Sequence, residues 1–154
     1  MLNKSALCQG ATVRRNSPRR GSAMMELALF GPWFFFLFVG ALNWGFSAYA
    51  LISLESAART AALYTSTSSS TAADSTQACN LALGEMRKLP NIGTGVTACS
   101  ASPLSVTATS ITGPDSAAAS RVVVTYTTIQ MIPIPGVLPN RYTMSRTVTM
   151  RVRG

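Results

Sequence analysis

From Leu27 to Leu54 the chain runs 28 positions without a Lys, Arg, Asp, Glu or His. As a helix this stretch reaches roughly 42 Å at about 1.5 Å per residue, and a bilayer core needs only about 20 residues. Trp33, Phe34, Phe35, Phe36, Leu37, Phe38 and Val39 are apolar all round such a helix, as a segment facing lipid or wholly buried must be. The alternative, a core helix of a water-soluble protein, would have to hide this aromatic cluster inside a chain of only 154 residues. The run reads as a membrane span.

The segment before the span sets its direction. Lys4, Arg14, Arg15, Arg19 and Arg20 carry +5 with no acid among them. Positive flanks stay in the cytoplasm, so the N-terminus is expected inside and everything after Leu54 outside. A secretory signal peptide has an apolar region of only about 7–15 residues ending at a small-residue cleavage site. Here the run is longer, and the helical pattern continues past it through Glu55 and Arg59, an i,i+4 pair in the favoured order. A cut after the run is not expected.

Glu26 sits at the mouth of the span, where headgroup-level placement would explain it. Its spacing allows a second reading. A cut after Gly21 would give Ser22 a new α-amino group and make Glu26 the fifth residue, and a carboxylate in apolar surroundings is tolerated when a neighbour's ammonium pairs with it. The stretch Arg19-Arg20-Gly21-Ser22-Ala23-Met24-Met25-Glu26-Leu27-Ala28-Leu29-Phe30-Gly31-Pro32 resembles the processing site of type IV pilins and pseudopilins, and more closely that of the TadE-like minor pilins of tight-adherence systems. Met24-Met25 and the Phe cluster depart from the Ala, Val and Leu more usual there. The resemblance implies a minor pilin or pseudopilin, a structural subunit for a Tad-type pilus or related secretion filament. It implies cleavage by a prepilin peptidase at Gly21–Ser22, with Glu26 aligning subunits. The implied partners are a major pilin, other minor pilins and the pilus assembly platform protein, at the bacterial inner membrane or in the pilus.

The net charge of +8 would suggest nucleic acid, but the leader holds +5 of it. The remaining arginines lie along strand-like segments without the interleaved aromatics of a stacking platform, so no nucleic acid partner is expected. Of the three cysteines, processing would remove Cys8 and leave Cys79 and Cys99 outside the membrane, where oxidising conditions favour a disulfide. A metal site is disfavoured because the chain has no His.

Past the span, Leu51, Leu54, Ala58 and Ala61 form a narrow helical stripe. Within it, Ala41, Gly45 and Ala48 put small residues on one face, a surface that lets another helix approach closely. Thr65 to Thr76 is a Ser/Thr-rich run expected to be a frayed helix end and linker. A second helix is predicted from an Asp74 or Ser75 cap to Leu89-Pro90, with Ala78, Leu81, Ala82, Met86 and Leu89 on one side. Leu104 to Ala108, Arg121 to Ile129 and Tyr142 to Val152 read as strands, and in the last only Arg146 interrupts an apolar face of period 2. Met131 to Pro139 holds three prolines and reads as a crossover or loop. The expected class is α+β: a long N-terminal transmembrane helix, then one helix on a three- to four-stranded antiparallel sheet. The domains expected are a basic leader over 1–21, a membrane and extended helix over 22–64, a linker over 65–76 and an extracytoplasmic domain over 77–154.

No catalytic constellation or cofactor motif is present. With no His the usual base for a Ser or Cys nucleophile is missing, and Gly93-Thr94-Gly95 lacks the Lys and helix of a phosphate loop. An enzyme is not expected. The alternative to a pilin is an uncut single-pass anchor carrying an external binding or adhesion domain.

Overall fold

The computed structural model describes residues 20–93, 95–129, 132 and 141–153. The leader up to Arg19 with Cys8, Thr94, and the prolines of the 131–139 segment lie outside the described residues. Six elements follow in order: α1 (Arg20–Thr65), α2 (Ser75–Met86), β1 (Ser100–Ala101), β2 (Leu104–Thr112), β3 (Ala118–Thr127) and β4 (Thr143–Arg151). The architecture is the expected α+β, with four antiparallel strands in the order β1-β2-β3-β4.

The chain divides into two compact units, one ending at Leu37 and the other running from Phe38 to Gly154. In the first, the described residues are helical and their large apolar side chains are exposed, Trp33 at 71%. Helix continues through Pro32. The stretch Ala23–Thr65 is long and apolar enough to cross a membrane.

In the second unit the sheet has one buried face. Register places Leu104, Tyr126 and Met144 side by side, then Val106, Val124 and Arg146, then Ala108, Val122 and Val148. Alternation gives each strand one inward row. Onto that row pack Ala50, Leu54, Ala57, Ala58, Ala61 and Ala62 of α1, together with Ala78, Cys79, Ala82, Leu83 and Met86 of α2. The α1 stripe is mostly alanine, so Leu54 is its one large buried side chain among these six. Leu51, expected in this stripe, is only half-buried, and on α2 Leu83 takes the buried place expected of Leu81. α2 ends at Met86, three residues before the expected Leu89.

The N-cap of α2 is Asp74, whose Oδ1 accepts from the Thr76 and Gln77 amides at 3.1 Å each. Ser75 then serves the sheet: its Oγ accepts from the Ala108 amide at 3.0 Å and donates to the Ala108 carbonyl at 3.3 Å. One hydroxyl thus occupies the edge of β2 beyond the two-residue β1, where backbone groups would otherwise lack a strand partner.

The Ser/Thr run after α1 is folded into hydrogen-bonded turns, not the frayed linker its composition suggests. Thr65, Ser66 and Thr67 donate their hydroxyls to the carbonyls of Ala62, Leu63 and Tyr64. They fold back on the last-turn carbonyls, of which Ala62 and Tyr64 also accept the Ser66 and Thr67 amides. Two bonds tie the run to the sheet, Ser120 Oγ to the Ala72 carbonyl at 2.8 Å and the Arg153 amide to the Ser66 carbonyl at 2.9 Å.

Candidate functional site

Gly21 and Glu26 both lie in the first turns of α1 and are exposed. The Gly21–Ser22 bond lies at the start of the described part of α1. A Cβ placed on Gly21 meets nothing within 4 Å. Alanine there is therefore compatible with this fold, and any effect of that change on cutting would belong to the recognising enzyme.

Further along, within the second unit, α1 has two distinct faces. Ala50, Leu54, Ala57, Ala58, Ala61 and Ala62 are buried on the sheet. Ala41, Gly45 and Ala48 are exposed, and at about 100° per residue they fall on the side opposite that stripe. Ile52 and Leu63 continue the same outward side at 69% and 55% exposure. A Cβ on Gly45 meets nothing within 4 Å, so no described residue of the chain uses its smallness. The small residues that pack internally are thus the alanines higher on α1, and the Ala41, Gly45 and Ala48 face is left on the outside.

Polar links fix α1 to its surroundings. Glu55 lies 3.9 Å from Arg59 on the same helix and 3.7 Å from Arg146 on β4. Ser56 Oγ donates to Glu85 of α2 at 3.1 Å, and the Tyr64 hydroxyl donates to Asp74 at 3.2 Å.

Cys79 and Cys99 form a disulfide that joins α2 to the segment entering β1. It borders an open cleft of about 490 Å³ whose lining includes Ser75, Thr76, Asn80, Thr97, Ser105 and Thr107. No ionisable side chain lines this cleft, so it offers hydroxyl and amide hydrogen bonds but no acid, base or nucleophile pair. Among the described residues no group of His, Cys, Asp and Glu could hold a metal ion. Tyr126, fully buried, donates to Asn91 Oδ1, and burial pushes its phenol above the ordinary tyrosine range. Asn91 Nδ2 donates in turn to the Thr127 carbonyl at 2.8 Å, so both ends of the amide are used by β3. The Tyr126–Asn91 pair was not anticipated from sequence, where neither residue carries a local signal.

Residues 21–63 match the family model described as TadE-like protein. The matched segment takes in the candidate cut, Glu26 and both faces of α1, and it is consistent with a TadE-like pilin. No curated protein matches the chain. No solved structure matches it either.

Proposed function

We propose that the chain is a pilin-like structural subunit of a Tad-type pilus or related secretion filament, assembled through α1. The observation that carries this reading is the two-faced helix: one side of α1 is buried in its own domain's core, while the outward side (Ala41, Gly45, Ala48, Ile52) is apolar and exposed among the described residues. Small residues on such a face let a second helix approach closely, the condition for a bundle of like helices. The TadE-like match over the same helix supports a structural role in place of a catalytic one.

In this reading residues 1–21 are a leader kept in the cytoplasm by its arginines, α1 anchors the subunit in the inner membrane, and the sheet domain lies outside. A prepilin peptidase cuts after Gly21. The Ser22 amine so released meets Glu26 of a neighbouring subunit, because an ion pair lowers the cost of holding either charge in an apolar bundle. A major pilin, other minor pilins and the assembly platform protein are the partners.

The deciding experiment is intact-mass and N-terminal analysis of the protein from its native host. The mature chain is expected to begin at Ser22, Gly21→Ala to retain Met1, and Glu26→Ala to be cut yet fail to assemble. A mature wild-type chain that still begins at Met1 would replace this reading with the uncut anchor and its external binding domain.

A further inference from the structure

We propose that the base of the sheet domain is seated on the phosphate layer of the bilayer's outer leaflet, through Arg87, Lys88, Arg141 and Tyr142; this rests on the membrane reading of α1. The levels come from bonds between elements of the second unit. Arg153 at the end of β4 bonds Ser66 at the end of α1, and Arg146 reaches Glu55 farther down. Moving from Arg153 to Tyr142 therefore follows α1 back toward its apolar half. Those two bonds set seven residues of strand against eleven of helix, so the four residues from Arg146 to Tyr142 descend ~6 helix residues below Glu55 and bring Tyr142 near the level of Tyr49. α2 descends the same way, from Asp74 beside Tyr64 to Glu85 beside Ser56. Beyond it come Arg87 and Lys88, then Asn91, which bonds Thr127 at the base of β3.

Charge is sorted along this axis. Glu55 and Glu85 stand at the level of Ser56, while Asp74 beside Tyr64 and Asp115 beside Arg151 belong to the far end. Within the second unit, the described charged residues below Ser56 and its neighbour Glu55 are Arg87, Lys88 and Arg141, all basic, all exposed and none in an ion pair among the described residues. Aromatics with a polar tip join them. Trp44 is 81% exposed, and the inward row of β4, still on the core at Met144, turns out at Tyr142, which is 47% exposed. Tyr and Trp with Arg and Lys are the side chains that settle at headgroup depth, and a guanidinium binds phosphate in bidentate fashion.

The test uses the full chain with Cys8→Ser in nanodiscs of phosphatidylethanolamine and phosphatidylglycerol, spin-labelled in turn at Phe36→Cys, Thr143→Cys and Thr149→Cys. The label at 36 is expected in hydrocarbon, reached by oxygen and not by a water-soluble nickel chelate. The label at 143 is expected to be about twofold less accessible to the chelate than the label at 149, as headgroup depth requires. The triple variant Arg87→Glu, Lys88→Glu, Arg141→Glu should lose that difference while keeping its circular dichroism and its disulfide. Equal accessibility at 143 and 149 with 36 still in hydrocarbon overturns the seating and leaves the membrane span standing. Persistence of the difference in the triple variant also overturns it. A water-exposed label at 36 removes the span and the seating together.

Discussion

The guanidinium of Arg146 lies 3.7 Å from the carboxylate of Glu55, joining the inward row of edge strand β4 to the helix packed over it. Val124 is its neighbour across the sheet, and Met144 and Val148 flank it along the strand. The charge that interrupts an otherwise apolar row therefore has a partner, and both groups are half-exposed. Exposed pairs are worth about 0–1 kcal/mol and are screened by salt. An inward charge on an edge strand also disfavours edge-to-edge pairing with another sheet.

Replacing that arginine separates the two roles. Arg146→Leu should change unfolding free energy by no more than about 1 kcal/mol in either direction, and raising the salt should shrink the difference. The same variant should self-associate more readily. Urea unfolding at two ionic strengths, with light scattering on the same samples, measures both.

The disulfide closes a loop of 20 residues between α2 and β1. In the chain-entropy model such a bridge contributes roughly 3 kcal/mol, a large share for a domain of this size. Cys79→Ala with Cys99→Ala, or reduction of the wild type, should lower the urea midpoint accordingly. An unchanged midpoint under reducing conditions would show that α2 and the sheet hold the loop without it.

Ser75 ties α2 to the sheet edge by bonding both the amide and the carbonyl of Ala108. Ser75→Ala leaves those two groups without the hydroxyl and should cost roughly 1–3 kcal/mol. Hydrogen exchange gives a local readout. The Ala108 amide should lose protection, while the Val122 amide in the centre of the sheet should follow only the global change.

Alkaline pH tests the burial of Tyr126. Its phenol ionises at higher pH in the fold than in the unfolded chain, because burial disfavours the phenolate. Above about pH 10 the unfolded state binds fewer protons than the native state, so stability falls as pH rises. That contribution is complete below the unfolded value and is lost on the way up through the folded one. Tyr126→Phe should be less stable at neutral pH through loss of the Asn91 bond, and its stability should fall less steeply above pH 10. Equal slopes for the two proteins would remove Tyr126 from the account.

Much of the fold was legible because it rests on composition over long windows. The uncharged run from Leu27, the period of the last strand and the Asp74 cap are local signals, and each fell where local physics puts it. Cys79 and Cys99 could be expected to pair from their number and compartment alone. The two faces of α1 were only half legible. Alanine is common on every side of this helix, so sequence named Leu54, Ala58 and Ala61 and set Ala41 and Ala48 on a separate face, but left Ala50, Ala57 and Ala62 out of the buried stripe.

What the chain by itself determined is therefore its apolar rod, the alternating strands and the cap of the second helix. Tertiary structure decided the rest. A serine and threonine run with the composition of a loose linker became a set of hydrogen-bonded turns, because its hydroxyls fold back onto the last carbonyls of α1 and its backbone meets the sheet domain. Arg146 found Glu55, Ser75 found the sheet edge, and Tyr126 found Asn91 across 35 residues of chain. Such pairings depend on which surfaces meet when helix and sheet close on one another, and no window of sequence contains both partners.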